Sequence, residues 1–201
     1  MNNNGKNHKN GITVQSKLLV DIFLNPFTGI TERYKRLKLN PKYGNTIKNL
    51  LISQGLIQPR NIITGKGWIT LFDLTQKGRI VLRDLDYEEK FISEGIIHKF
   101  WKLKISEYYM KKNLEVMVEK NINGRPDLIV INGDKKTAVE IETGKSNYIA
   151  NIQRALEAGF DEIICVATNK HVEEKIREEL DRKNIVHNKL KVTSVFTFDI
   201  S

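Results

Sequence analysis

A chain of 201 residues, 40% of them hydrophobic, is long enough for one large packed core or two small ones. No apolar run approaches the roughly 20 residues that span a bilayer, and the first ten, MNNNGKNHKN, lack the apolar stretch of a signal peptide, so no membrane partner is expected. One cysteine excludes a disulfide within the chain, and Cys165, inside the apolar run IICVA, is expected to be buried and inert; an intracellular, cytoplasmic setting is the default.

Charge divides the chain. Residues 1–112 hold 20 Lys+Arg against 9 Asp+Glu, a net of +11, and residues 113–201 hold 13 against 15, a net of −2. A strongly basic half implies a polyanionic partner, DNA before others. The polar residues 1–11 are expected to form a disordered tail. Residues 12–24 carry apolar side chains at helical spacing, Thr28 suits the cap of a second helix to about Leu39, and Pro41 opens a third. In that third helix Ile47, Leu50 and Leu51 form the inward stripe, and Gly55 closes it. Two β-prone runs, LIQPRNIIT and WITLFDLT, flank Gly65-Lys66-Gly67 and predict a hairpin, followed by a short helix, QKGRIVLRDL.

Three helices and a hairpin, with the phrasing GLI…FDLTQKGRIVL, resemble a winged helix-turn-helix domain over residues 12–86. The resemblance implies that the third helix enters the major groove of DNA and that the wing touches its backbone or minor groove. Lys42, Tyr43, Asn45, Thr46, Lys48 and Asn49 would then face DNA, with Lys66 at the wing tip. Winged helices also serve as protein-interaction modules, and the basic charge favours DNA.

An acidic connector, Asp84, Asp86, Glu88 and Glu89, leads to residues 91–112, an amphipathic helix restarted after Gly95, whose stripe is Ile97, Trp101, Ile105 and Tyr108. Three strand-like runs follow, LEVMVEK, GRPDLIVI and KKTAVEIET, the last two joined by Asn132-Gly133-Asp134 as a tight hairpin. A helix over about 147–158, the strand EIICVAT, a helix over about 172–183 and the strand VTSVFTF complete the order α-β-β-β-α-β-α-β. Helices on both faces of the central strands would give an α/β/α sandwich with a mixed sheet.

The stretch VEIETGKS ends in Gly144-Lys145-Ser146, as a phosphate-binding loop ends. Its first glycine would have to be Val139, and Glu140 and Glu142 would meet the polyphosphate with two carboxylates, so an ATP site does not fit. Pro126-Asp127 and, beyond a hairpin, Glu140-Ile141-Glu142 instead resemble the PD-(D/E)XK nuclease superfamily over residues 87–201, in an acid-x-acid variant. Glu140 and Glu142, two apart on a strand, share a face. Carboxylates gathered at one edge repel one another unless a hard cation neutralises them, and oxygen ligands suit Mg²⁺ or Mn²⁺. The resemblance implies Asp127, Glu140 and the Ile141 carbonyl as metal ligands. Glu142 stands where the family carries lysine and could act as general base or hold a second ion, with Lys145 a candidate for the missing positive charge. Glu94 and His98, four apart on the preceding helix, are further catalytic candidates. Asn151, Gln153 and Arg154 are candidates for the DNA backbone.

The function expected is a metal-dependent DNA endonuclease targeted by its winged helix. The alternatives are a structure-specific resolvase or mobile-element nuclease, and a catalytically inactive DNA-binding regulator using the nuclease fold as a scaffold. A homodimer is compatible with each.

Overall fold

The computed structural model describes residues 13–87, 94–118 and 126–198. The tail, Glu88 and Glu89 lie outside the described residues. The chain divides into two compact units, Met1–Arg60 with Thr70–Lys90, and Asn61–Ile69 with Phe91–Ser201. The tip of the expected wing, Asn61–Ile69, groups with the second unit. Among the described residues are seven α-helices, a two-stranded sheet and a mixed five-stranded sheet, and no helix is long and apolar enough to cross a membrane.

In the first unit, Thr13 caps α1 (Val14–Leu24) by accepting the Ser16 N–H. Helix α2 is Ile30–Arg36, capped by Gly29 rather than Thr28, and it stops short of Leu39. Lys38 turns left-handed there (φ 55°), so the Leu39 N–H reaches back to the Tyr34 carbonyl at 2.8 Å and closes the helix. Buried Arg33 ties α2 to α1: it pairs with Asp21 at 2.8 Å and donates to the Asp21 and Asn25 carbonyls. Asn40 caps α3 (Pro41–Ser53), with Pro41 at its first position. Ile47 and Leu51 face inward, whereas Leu50, expected with them, is only half-buried. Gly44 is buried because a Cβ there would lie 2.7 Å from the Tyr34 ring. Gly55 ends α3 at φ 68°, as its place after the last apolar residue predicts.

Strands β1 (Ile57–Thr64) and β2 (Gly67–Leu74) leave a two-residue loop, Gly65-Lys66, so Gly67 belongs to the strand. Helix α4 (Gln76–Arg83) follows, capped by Thr75. Leu18, Leu19, Ile22, Ile47, Leu51, Phe72, Leu74 and Leu82 make the core of this unit.

The second unit opens with α5 (Ile96–Lys111) after Gly95. Its inward face is Ile96, Phe100, Trp101 and Ile105; Ile97 and Tyr108, expected on that stripe, are half-buried. The sheet runs β3 (Glu115–Val118), β4 (Leu128–Asn132), β5 (Lys135–Glu142), β6 (Glu162–Ala167), β7 (Leu190–Ser194) in spatial order. β3, β4 and β5 are antiparallel neighbours; β6 lies parallel to β5 and β7 parallel to β6. The β4–β5 hairpin turns at Gly133-Asp134, with Gly133 at φ 59°, as the Asn-Gly-Asp sequence predicts.

Each parallel step needs a crossover, and these are α6 (Tyr148–Glu157, capped by Asn147) and α7 (Lys170–Arg182, capped by Asn169). α7 starts two residues before its expected position because Asn169 supplies the cap. Strand β7 ends at Ser194 instead of running to Phe198: Val195–Thr197 curl into a 3-10 turn, with the Thr197 hydroxyl donating to the Ser194 carbonyl. Cys165 and Ala167 of β6 pack against Ile149, Ile152, Val172 and Ile176 of α6 and α7. Cys165 is wholly buried, and burial pushes its thiol well above the ordinary value.

Candidate metal centre

The site forms where β4 begins and β5 ends. Leu128 pairs with Val139, so continuing the antiparallel register by one residue sets Asp127 opposite Glu140. Asp127 precedes the strand rather than lying in it, and is fixed by two donors to one oxygen: the Ile141 N–H at 2.8 Å and His98 Nε2 at 3.0 Å. Ile141 thus meets Asp127 through its amide, a contact that the expectation for its carbonyl did not include.

Glu140 and Glu142 point to the face that carries Cys165 and Ala167, their partners across the parallel ladder. Both are buried, at 6% and 1% exposure. Among the described residues Glu140 has no hydrogen-bond partner. Its pKa is raised to about 8, by burial first and then by the charges of Asp127 and Glu142. The carboxyl of Glu142 is held differently: the Ser146 hydroxyl donates to Oε2 and Asn151 donates to Oε1 at 3.0 Å. Burial raises its pKa, and those two donors oppose the rise. Arg154 donates to Asn151, and its charge lowers the pKa of Glu140.

On α5 the cations are already matched. Lys102 Nζ sits 2.5 Å from Glu94 Oε1, and His98 Nδ1 lies 3.5 Å from Glu94 Oε2 without a hydrogen bond among the described residues. Burial favours neutral Glu94, but His98 and Lys102 outweigh it and hold the carboxyl near 2. Burial likewise favours neutral His98, yet Asp127 and Glu94 hold the imidazole up at about 9. One ligand atom from each of Glu94, His98 and Asp127 falls within 4.8 Å of the others. That trio is nevertheless balanced by Lys102 and by an imidazolium, so its charges need no ion.

Glu140 and Glu142 lie outside that trio, and among the described residues no group of three ligands that includes either of them has its atoms within 4.8 Å of one another. Asp127 and Glu142 are near enough to raise the pKa of Glu140 by their charge, and carboxylate oxygens are the donors that hard ions such as Mg²⁺ or Mn²⁺ take. The raised pKa leaves Glu140 protonated at neutral pH, so a cation that binds it would displace that proton.

Lys145 does not join the cluster through any described contact; it is exposed just beyond Gly144, whose φ is 80°. That turn swings Ser146 back onto Glu142, so the neighbour of the proposed lysine is the residue that touches the site. Gln153 and Arg154 are exposed, whereas Asn151, expected to meet DNA, is committed to Glu142. Two contributors were missed in the sequence, Ser146 and Lys102. Lys102 falls four residues after His98 on α5, whereas Glu94, expected on that helix, precedes its Gly95 cap and meets Lys102 from outside the helix.

On α3, Lys42, Tyr43, Asn45, Thr46 and Asn49 are exposed and Lys48 is half-buried. The Asn45 side-chain carbonyl accepts from Tyr34 and Lys48, both at 3.2 Å, which aims its amide NH₂ away from both. Lys66 is exposed in the hairpin loop. No family model, curated protein or solved structure matches the chain significantly.

Proposed function

We propose that the chain is a Mg²⁺- or Mn²⁺-dependent endonuclease that hydrolyses phosphodiester bonds in DNA, with a winged helix-turn-helix in its first unit and a PD-(D/E)XK-like nuclease in its second. The observation that carries this reading is a fixed Asp127, just before β4, whose charge acts on the buried Glu140 of the neighbouring strand. The sheet order, three antiparallel strands followed by two parallel ones, supports it, as does the basic charge of the N-terminal half.

Asp127, Glu140 and Glu142 would hold the ion. When bound, it would supply Lewis acidity towards a phosphoryl oxygen and acidify a water. The protein's own groups do the positioning. His98 and the Ile141 amide fix the rotamer of Asp127, Ser146 and Asn151 fix Glu142, and the Lys102–Glu94 pair steadies His98. Glu142, buried and raised in pKa, is suited to take a proton from the attacking water. Arg154, exposed beside the carboxylates, supplies the cationic charge that a scissile phosphate needs, a task expected of Lys145.

The test is cleavage of supercoiled, linear and branched DNA by the full-length protein with Mg²⁺, Mn²⁺ or EDTA. Cleavage should require the ion, and Asp127→Ala or Glu140→Ala should lower the rate by orders of magnitude while DNA binding persists. Undiminished cleavage in EDTA, or by either variant, would overturn the assignment. Preference for branched over linear DNA would select the resolvase form of the same chemistry.

A further inference from the structure

Trp68 is the most exposed large aromatic among the described residues, at 70%. Alternation along β2 puts it on the same face as Phe72 and Leu74, which belong to the core of the first unit. That face is covered at the base of the hairpin and uncovered at Trp68, two residues past the loop lysine, Lys66. Ile63, on the neighbouring strand, is 37% exposed. A tryptophan left in water forgoes a large burial energy, and among the described residues no ring or cation is stacked on it.

The charge around it selects the partner. The hairpin carries Arg60 and Lys66 against a single acid, Asp73 near the far end of β2, and it belongs to the basic half of the chain. An exposed aromatic two residues from a lysine on a hairpin is suited to nucleobases, which offer a flat π-face next to phosphates. We propose that Trp68 is a base-contacting residue, stacking on or wedging between DNA bases while Lys66 meets the adjacent phosphate. This rests on the DNA-binding part of the proposed function and is independent of the metal centre.

Trp101, the other tryptophan, is buried at 2% exposure, so the emission of the two can be separated. Full-length wild type in EDTA is titrated with duplex and with single-stranded oligonucleotides, with tryptophan fluorescence and the anisotropy of a labelled oligonucleotide read together. Wild-type emission should be quenched on its red side, and Trp68→Phe should bind without that quenching. Trp68→Ala should bind about tenfold more weakly, the loss of one base–aromatic stack, with an unchanged salt slope. Lys66→Ala should lower the slope. Stronger quenching by the duplex identifies a wedge, and by the single strand a stack. If DNA binds without quenching Trp68, or Trp68→Ala binds as tightly as wild type, the inference fails while the DNA-binding reading stands. If no DNA binds, both fail. Quenching that follows protein concentration without DNA would assign Trp68 to contact with a second copy of the chain and overturn the inference.

Discussion

Glu140 shows how a single side chain can be informative. It sits near pKa 8 in the fold against 4.5 for the free group. Between those values the folded chain holds a proton that the unfolded chain has released, so native stability falls as pH rises through that window. His98, raised to about 9, adds a loss of the same sign between its ordinary 6.5 and 9. In EDTA, the melting temperature should therefore drop from pH 5 to pH 8.5. Glu140→Gln should flatten part of that drop, and Mn²⁺ should reverse it for wild type alone; melting curves across this range check it. An equal slope for Glu140→Gln and wild type would remove the buried acid from the explanation. Glu142 makes a second test at this scale. Glu142→Lys restores the lysine of the resembled motif, but it puts a cation into a site with 1% exposure whose donors, Ser146 and Asn151, are arranged for a carboxyl. Cleavage by Glu142→Lys should fall below detection, and a rate near wild type would deny Glu142 any part in catalysis.

The elements show which features are legible in a sequence and which need three dimensions. Caps and turns were readable, since Pro41, Gly55, Asn132-Gly133 and Asn147 fulfil local rules that depend on neighbours within a few residues. The element order of the second half and the strand placement of Glu140 and Glu142 were readable too, through short apolar runs bounded by turn residues. What escaped was non-local. The end of α2 depends on Lys38 adopting a left-handed backbone, which lysine rarely does, and the end of β7 depends on a Thr197–Ser194 contact. The loop after β5 read as a source of Lys145, yet the positive φ of Gly144 delivers Ser146 instead. On α3 the close approach of Gly44 to Tyr34 carries a prediction. Gly44→Ala should cost about 1–3 kcal/mol by overpacking, measured by urea denaturation. It should also weaken DNA binding, because Tyr34 anchors Asn45. Wild-type stability for Gly44→Ala would show that the helix pair gives way easily.

At the scale of the molecule, a basic first half precedes a second half whose central strand buries two carboxylates, Glu140 and Glu142. The division of labour proposed, DNA affinity in one and phosphodiester chemistry in the other, depends on those carboxylates being a divalent metal centre. Calorimetric titration of Mn²⁺ into the full-length protein at pH 7, in two buffers of different ionisation enthalpy, addresses this directly. Wild type should bind the ion and release about one proton per ion bound, the proton that Glu140 holds in its absence. Asp127→Ala and Glu140→Gln should show weak or no binding, and Glu140→Gln no proton release. A wild-type protein that takes up no Mn²⁺, or a Glu140→Gln protein that binds it as wild type does, would contradict the metal centre.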